Sequence, residues 1–273
     1  MAQSLPVTSV TVLGIPFDQN SSFLRGTAQA PSGIREALYS PAHNLCTENG
    51  LDLGAAKNWQ DAGDMALSDS PQAFDEIQPA IAEILTRGEK ALLLGGDHSI
   101  TWPVLRAYAQ HYPGLTILQL DAHPDLYDEL DGNRNSHACP FARIMEEGLA
   151  DRLLQVGIRA LTPHLREQAQ RFKVEIIEMR DWNPAAIPSL KAPVYLSIDM
   201  DCLDPAFAPG VSHPAPGGLS SRDVLTIIQS LDGVLVGADI VEYNPDRDLM
   251  GLTAVVGANL LKELLAQMLA NDI

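Results

Sequence analysis

Several apolar runs in this chain carry no polar alternation, and that restricts the folds open to it. ALLL (91–94), ILQL (117–120), VYLSI (194–198) and LVGADIV (235–241) are β-rich and apolar at nearly consecutive positions. A strand of that kind is buried on both faces, as in a parallel sheet covered by helices on either side. Each run also ends in residues suited to binding a metal. The first leads to His98, the second to Asp121, His123 and Asp125, the third to Asp199 and Asp201, and the fourth to Glu242.

Helix-like and strand-like segments alternate along the rest of the chain. Further strands are read at Val7–Ile15, Leu153–Gly157 and Val174–Glu178. Helices are read at Pro31–Tyr39, Asp75–Arg87, Thr101–His111, Phe141–Glu147, Pro163–Phe172, Arg222–Leu231 and Thr253–Leu269. In the second of these helices Ile77, Ile81, Ile84 and Leu85 share a face, and Gly88 ends it. No repeat, linker or low-complexity run divides the chain, so one domain spanning 1–273 is expected. Its class is α/β: a three-layer α/β/α arrangement around a mostly parallel sheet of about eight strands. Ligands of open parallel sheets sit beyond the carboxyl ends of the strands, where all four motifs fall.

The totals narrow the partners. A net charge of −17 argues against nucleic acid or anionic lipid and favours a small cationic ligand. Two bound divalent ions would reduce that charge to −13, each adding two positive charges. No stretch was expected to span a bilayer, and the N-terminus lacks the pattern of a secretory signal. Three widely spaced cysteines fit neither a disulfide framework nor a zinc cluster, so a reducing cytoplasm is expected.

The spacing Asp121-x-His123-x-Asp125 puts alternate side chains on one side of an extended backbone, and Asp199-x-Asp201 does the same. With His98 this makes four carboxylates, two imidazoles and no thiolate. Such a donor set suits Mn²⁺, and less specifically Fe, Co, Ni or Zn. Six ligands exceed the need of one catalytic ion and suit two, roughly 3.5–4 Å apart. A pair of cations would acidify a shared water towards neutrality.

These segments resemble the ureohydrolase family of arginases, agmatinases and related guanidino hydrolases. The likeness lies in GGDHS (95–99), DAHPD (121–125), SIDMDCLDP (197–205) and VEYNP (241–245). It extends through GIPFDQNSSFLRGTAQAPSGIREAL (14–38) and SHACPFARIMEEG (136–148), and so covers nearly the whole chain. DPAFAPGVSHPAPGGLS (204–220) is most like plant-type arginases and the agmatinase-like branch around them. The resemblance implies two Mn²⁺ per chain, held by His98, Asp121, His123, Asp125, Asp199 and Asp201. It also implies an arginase-like fold and a homo-oligomer, either trimer or hexamer.

From the same resemblance, Asp125 would also assist proton transfer, Glu242 would grip the guanidinium and His137 would move a proton. Arginine carries an α-carboxylate that agmatine lacks, and Arg25, Asn135 and Ser136 are candidate contacts for it. Arginase is the expected activity, with agmatinase or another guanidino hydrolase as the alternative. A binuclear phosphoesterase would want basic residues for phosphate, and a non-catalytic regulatory relative would usually have lost ligands. The six candidate ligands do not follow the phosphoesterase pattern, and all six and Glu242 are present, which leaves the non-catalytic relative as the alternative of a different class.

Overall fold

Strands without a polar face need cover on both sides, and the computed structural model provides it. It describes residues 9–68, 72–191 and 193–270. The strands are β1 (Val10–Ile15), β2 (Trp59–Asp64), β3 (Lys90–Gly95), β4 (Thr116–Leu120), β5 (Arg152–Ile158), β6 (Glu175–Glu178), β7 (Pro193–Asp199) and β8 (Val234–Val241). They form one sheet in the order β2-β1-β3-β8-β7-β4-β5-β6, and every pairing is parallel. The α-helices are α1 (Ala30–Leu38), α2 (Ile77–Thr86), α3 (Thr101–Tyr108), α4 (Pro140–Glu146), α5 (Pro163–Phe172), α6 (Ser221–Gln229) and α7 (Leu252–Ala270).

Successive strand residues point to opposite faces and meet different helices. Val12, Leu92 and Leu94 pack with Ile34 of α1, Leu225 of α6 and Leu261 of α7. Their neighbours Leu13, Ala91 and Leu93 pack with Ile81 of α2, Val104 of α3, Phe141 of α4 and Leu165 of α5. The outcome is the three-layer architecture that the apolar runs imply.

Local signals set several helix ends. Ser220 and Asp223 make a reciprocal capping box at the start of α6. Thr162 caps α5 through the Leu165 amide, Pro163 opens the helix, and Lys173 closes it in the left-handed conformation. The helix expected over Asp75–Arg87 splits into a 3₁₀ turn at Ala73–Glu76 followed by α2. For the strand expected at Val7–Ile15, the first two residues lie outside the described ones.

One strand was not read from the sequence, and one reading needs correction. Strand β2 has no apolar run: its sequence is WQDAGD, its residues alternate between half-buried and exposed, and among the described residues it pairs with β1 alone. An edge strand held by backbone bonds on one side leaves little hydrophobic signal. Helix α7 is, by length and composition, apolar enough to cross a membrane, which the expectation had denied to any stretch. Yet 67% of its apolar window is buried inside the fold, where it covers α1, α6 and the sheet.

A candidate metal centre at the carboxyl edge of the sheet

The four strands whose ends carry the motifs are neighbours at the middle of the sheet, in the order β3-β8-β7-β4. Residues far apart in sequence therefore leave the sheet side by side. After β3 the chain turns through Gly95-Gly96 into a short 3₁₀ turn that starts at His98. A Cβ on Gly96 would lie 1.7 Å from the Phe17 carbonyl oxygen, so only glycine lets this turn approach the loop after β1. That loop is tied down by Asp97, which is buried and accepts from the Asn20 amide and from Ser99.

His98 Nδ1 faces three carboxylates: Asp125 Oδ2 at 3.0 Å, Asp121 Oδ2 at 3.2 Å and Asp199 Oδ2 at 3.3 Å. His123 Nδ1 lies 3.0 Å from Asp201 Oδ2 and 3.6 Å from Asp121 Oδ1. Asp121 therefore offers one oxygen to each group. The donor atoms of His98, Asp121, Asp125 and Asp199 all lie within 4.8 Å of one another, as do those of Asp121, His123 and Asp201. The first group is fully buried, whereas the His123 side chain is 31% exposed. The chain brings all six sequence-nominated ligands to one focus.

Backbone amides hold the carboxylates in place. Asp121 accepts from the His123 amide, Asp199 from the Asp201 amide, and Asp201 from the Ala122 amide. Gln119 adds a side-chain bond, donating to Asp121 Oδ2 at 2.7 Å and to the His123 carbonyl. Gln155 fixes it in turn by donating to Gln119 Oε1. Asp125 and Glu242 both adopt positive φ, at 50° and 65°, a conformation uncommon for residues other than glycine. Such strain persists only where its surroundings enforce it, and here it turns both side chains towards the cluster.

The donor set fits divalent cations. His98 Nδ1 is buried with no hydrogen-bond partner, although three carboxylate oxygens surround it. Among the described residues no lysine or arginine pairs with these aspartates. The chain's own protons are left to supply positive charge. Burial opposes charge on His98, but Asp121, Asp125 and Asp199 outweigh it and raise its pKa well above the imidazole value. Burial and the charge on Asp201 act in opposite senses on His123, which ends near 12. Burial and then the neighbouring Asp121 push Asp125 up to about 6. A cluster that draws in protons so strongly is built for cations.

Beside it, Glu242 Oε1 accepts from the His98 amide at 2.8 Å and pairs with His137 Nδ1 at 2.7 Å. Burial resists a charge on His137, yet Glu242 prevails and lifts it to about 9. His137 Nε2 meets Ser22 Oγ at 2.8 Å. A cavity of about 420 Å³ is lined by Glu242, Asp125 and His137 together with Tyr127, Leu161 and Leu165. His213 also lines it, with its ring centroid 5.2 Å from that of His137.

Asn135 and Arg25 are exposed, Ser136 is buried with its Oγ accepting from the Ala138 amide, and none of the three lines the cavity. The sequence reading offers the loop 20–25 as a candidate substrate contact but does not single out Ser22 within it, and it misses Gln119. Ser22 sits in a polar loop, and Gln119 is a polar residue within the apolar run 117–120; neither carries a metal-ligand spacing.

Comparison with known proteins agrees with this geometry. Residues 8–266 match the model of the arginase family. The chain is 48% identical to "Arginase 1, mitochondrial" of Arabidopsis thaliana, over 95% of this chain and 81% of that protein. It is 34% identical to an agmatinase of Neisseria meningitidis, over 93% of this chain and 85% of the relative. The arginase of Medicago truncatula superposes with a TM-score of 0.91 at 44% identity, covering 96% of this chain and 88% of that one. The expectation of a cytoplasmic location is corrected by these relatives, since the Arabidopsis protein is named mitochondrial. Unpaired cysteines exclude a disulfide framework but do not separate one reducing compartment from another. The motifs, the strand order that gathers them and the match along nearly all its length agree: this chain belongs to the arginase family.

Proposed function

We propose that the protein hydrolyses the guanidino group of L-arginine, releasing L-ornithine and urea, and acts as a single catalytic domain. The observation that carries this reading is the pair of His/Asp groups sharing Asp121, of which His123, Asp125, Asp199 and Asp201 line a cavity that Glu242 also lines. His98, Asp121, Asp125 and Asp199 would hold one Mn²⁺, and Asp121, His123 and Asp201 the other. When bound, the two ions would supply a water acidified to near neutrality as the nucleophile.

The chain's residues must orient a planar cation whose carbon is a poor electrophile. Glu242 commits Oε1 to the His98 amide and His137, while Oε2 accepts from none of the described residues. That free oxygen is available for a charge-assisted bond to the guanidinium. Asp125, which lines the cavity, would accept the proton lost by the attacking water. His137 would deliver a proton to the leaving amine, with Glu242 holding its ring in place.

The test is urea release by Mn²⁺-loaded protein from arginine, agmatine, guanidinobutyrate and guanidinopropionate. Preference for arginine supports the proposal. Preference for agmatine would favour the second reading, which the apolar lining residues recommend, with no lysine or arginine lining the cavity among the described residues. No release from any of them would sink both. His137→Asn is expected to lower kcat by about 10²-fold with metal content retained, the usual scale for losing a positioned acid. An unchanged rate and pH profile would remove His137 from the reaction.

We also infer a homo-oligomer, trimer or hexamer. Leu249, Met250 and Leu252 are exposed apolar residues on one short segment and support that reading. Light scattering that returned a monomer mass would overturn it.

A further inference from the structure

Behind the metal cluster lies a second carboxylate that the proposed chemistry does not use. Asp239, in the middle of β8, is fully buried and forms no ion pair with any described residue. Its partners are hydroxyls. Oδ2 accepts from Thr101 Oγ1 at 2.9 Å and Tyr195 OH at 2.8 Å, and Oδ1 accepts from Ser197 Oγ at 2.6 Å. Ser197 Oγ in turn lies 2.9 Å from His98 Nε2.

With Asp239 ionised, these contacts fix the direction of the hydrogen bonds that run from His98 through Ser197 to it. An ionised carboxylate only accepts, so the Ser197 hydroxyl must spend its one proton on Asp239. The Ser197 oxygen can then only accept from His98, and Nε2 must carry the ring proton. A neutral ring with its proton on Nε2 presents its lone pair at Nδ1. That is the atom facing Asp121, Asp125 and Asp199 without a hydrogen-bond partner. A ring turned the other way would place N–H where a ligand lone pair is needed.

We propose that Asp239 and Ser197 are positioning residues that set the tautomer and orientation of His98 and so raise the affinity of the cluster for metal. The inference rests on the reading that the cluster binds Mn²⁺. A buried carboxylate polarises the hydroxyl and makes the imidazole a stronger donor to the ion. The sheet explains why the three residues meet. Ser197 and Asp239 are cross-strand partners on β7 and β8, and His98 follows β3 on the other side of β8. Thr101 and Tyr195 complete the shell by satisfying the other carboxylate oxygen.

The test measures Mn²⁺ affinity of chelator-stripped protein by calorimetry, together with the Tm of the stripped protein. Ser197→Ala and Asp239→Asn should each weaken manganese binding by roughly 10- to 100-fold, the usual effect of removing such a support. Thr101→Val and Tyr195→Phe remove donors from the far oxygen of Asp239 and leave the link to His98 intact. They should lower the Tm of the stripped protein while leaving manganese affinity close to wild type. If Asp239→Asn fails to fold, Ser197→Ala alone decides, because it deletes one hydroxyl without introducing volume.

Wild-type affinity in Ser197→Ala would overturn the inference. So would equal weakening in all four variants, which would mean that the network supports only the core. If the wild-type protein bound no manganese, the metal reading itself would fall and this inference with it. Normal wild-type binding with an unaffected Ser197→Ala would sink this inference alone.

Discussion

Asp121→Ala is expected to leave the protein with less than one manganese ion per chain and to cut urea release by more than about 10³-fold. That factor corresponds to about 4 kcal/mol of lost transition-state stabilisation. The size follows from where Asp121 sits. Its two oxygens serve both groups, Oδ2 beside His98 and Oδ1 beside His123, so one substitution removes a donor from each. No other member of the cluster belongs to both groups. Loss of Asp201 should therefore weaken mainly the half-exposed His123 side, whereas loss of Asp121 should empty both. Metal analysis and urea assays on the purified variant check this. A variant with two ions and activity within tenfold of wild type would show that Asp121 bridges nothing.

Glu242→Gln is expected to reduce kcat/KM by about 10²-fold while leaving the metal content unchanged. A charge-assisted hydrogen bond in a buried site is worth roughly 1.5–3 kcal/mol, and the upper end of that range is about 10² in rate. The amide cannot offer a negative oxygen to a guanidinium, and it also removes the charge that holds His137 near 9. Without that charge only the weaker pull of Asp97 and Asp125 opposes burial, so the pKa of His137 falls. The imidazolium form is then lost at lower pH, and the alkaline limb of the rate profile should move towards neutrality. Unchanged metal content separates this result from the loss of a ligand. A profile that stayed in place, with kcat/KM near wild type, would remove Glu242 from substrate binding.

The two predictions differ in how far sequence alone could have supported them. DAHPD and SIDMD are local patterns in which alternate residues leave an extended backbone on one side, so their ligating character is visible within a few residues. The double role of Asp121 is not. It depends on β4 lying beside β7 and, through β8, near β3, and nothing within the motif states that order. Glu242 likewise stands out at the end of an apolar run, but its contacts with the His98 amide and His137 arise from three separate segments. Asn135 and Ser136 show the limit from the other side. They flank His137 closely in sequence, yet the loop's turns expose one, bury the other and bring neither to the cavity.

Sequence by itself determined the layers, the parallel character of the sheet and the six His and Asp residues that meet at its edge, because burial on both strand faces and the spacing of those residues are written in consecutive positions. It also carried the family, through motifs spread along nearly the whole chain. Only the tertiary structure decided the strand order, the edge strand β2, and the support given by Gln119, Ser197 and Asp239. Those features come from pairings between distant segments, such as Ala91 with Gly237 and Thr101 with Asp239, the latter 138 residues apart. A polar residue in an apolar strand reads the same whether it supports a ligand or fills a gap in the core. The difference lies in which strand packs beside it, and that is settled by the combined packing of helices and sheet.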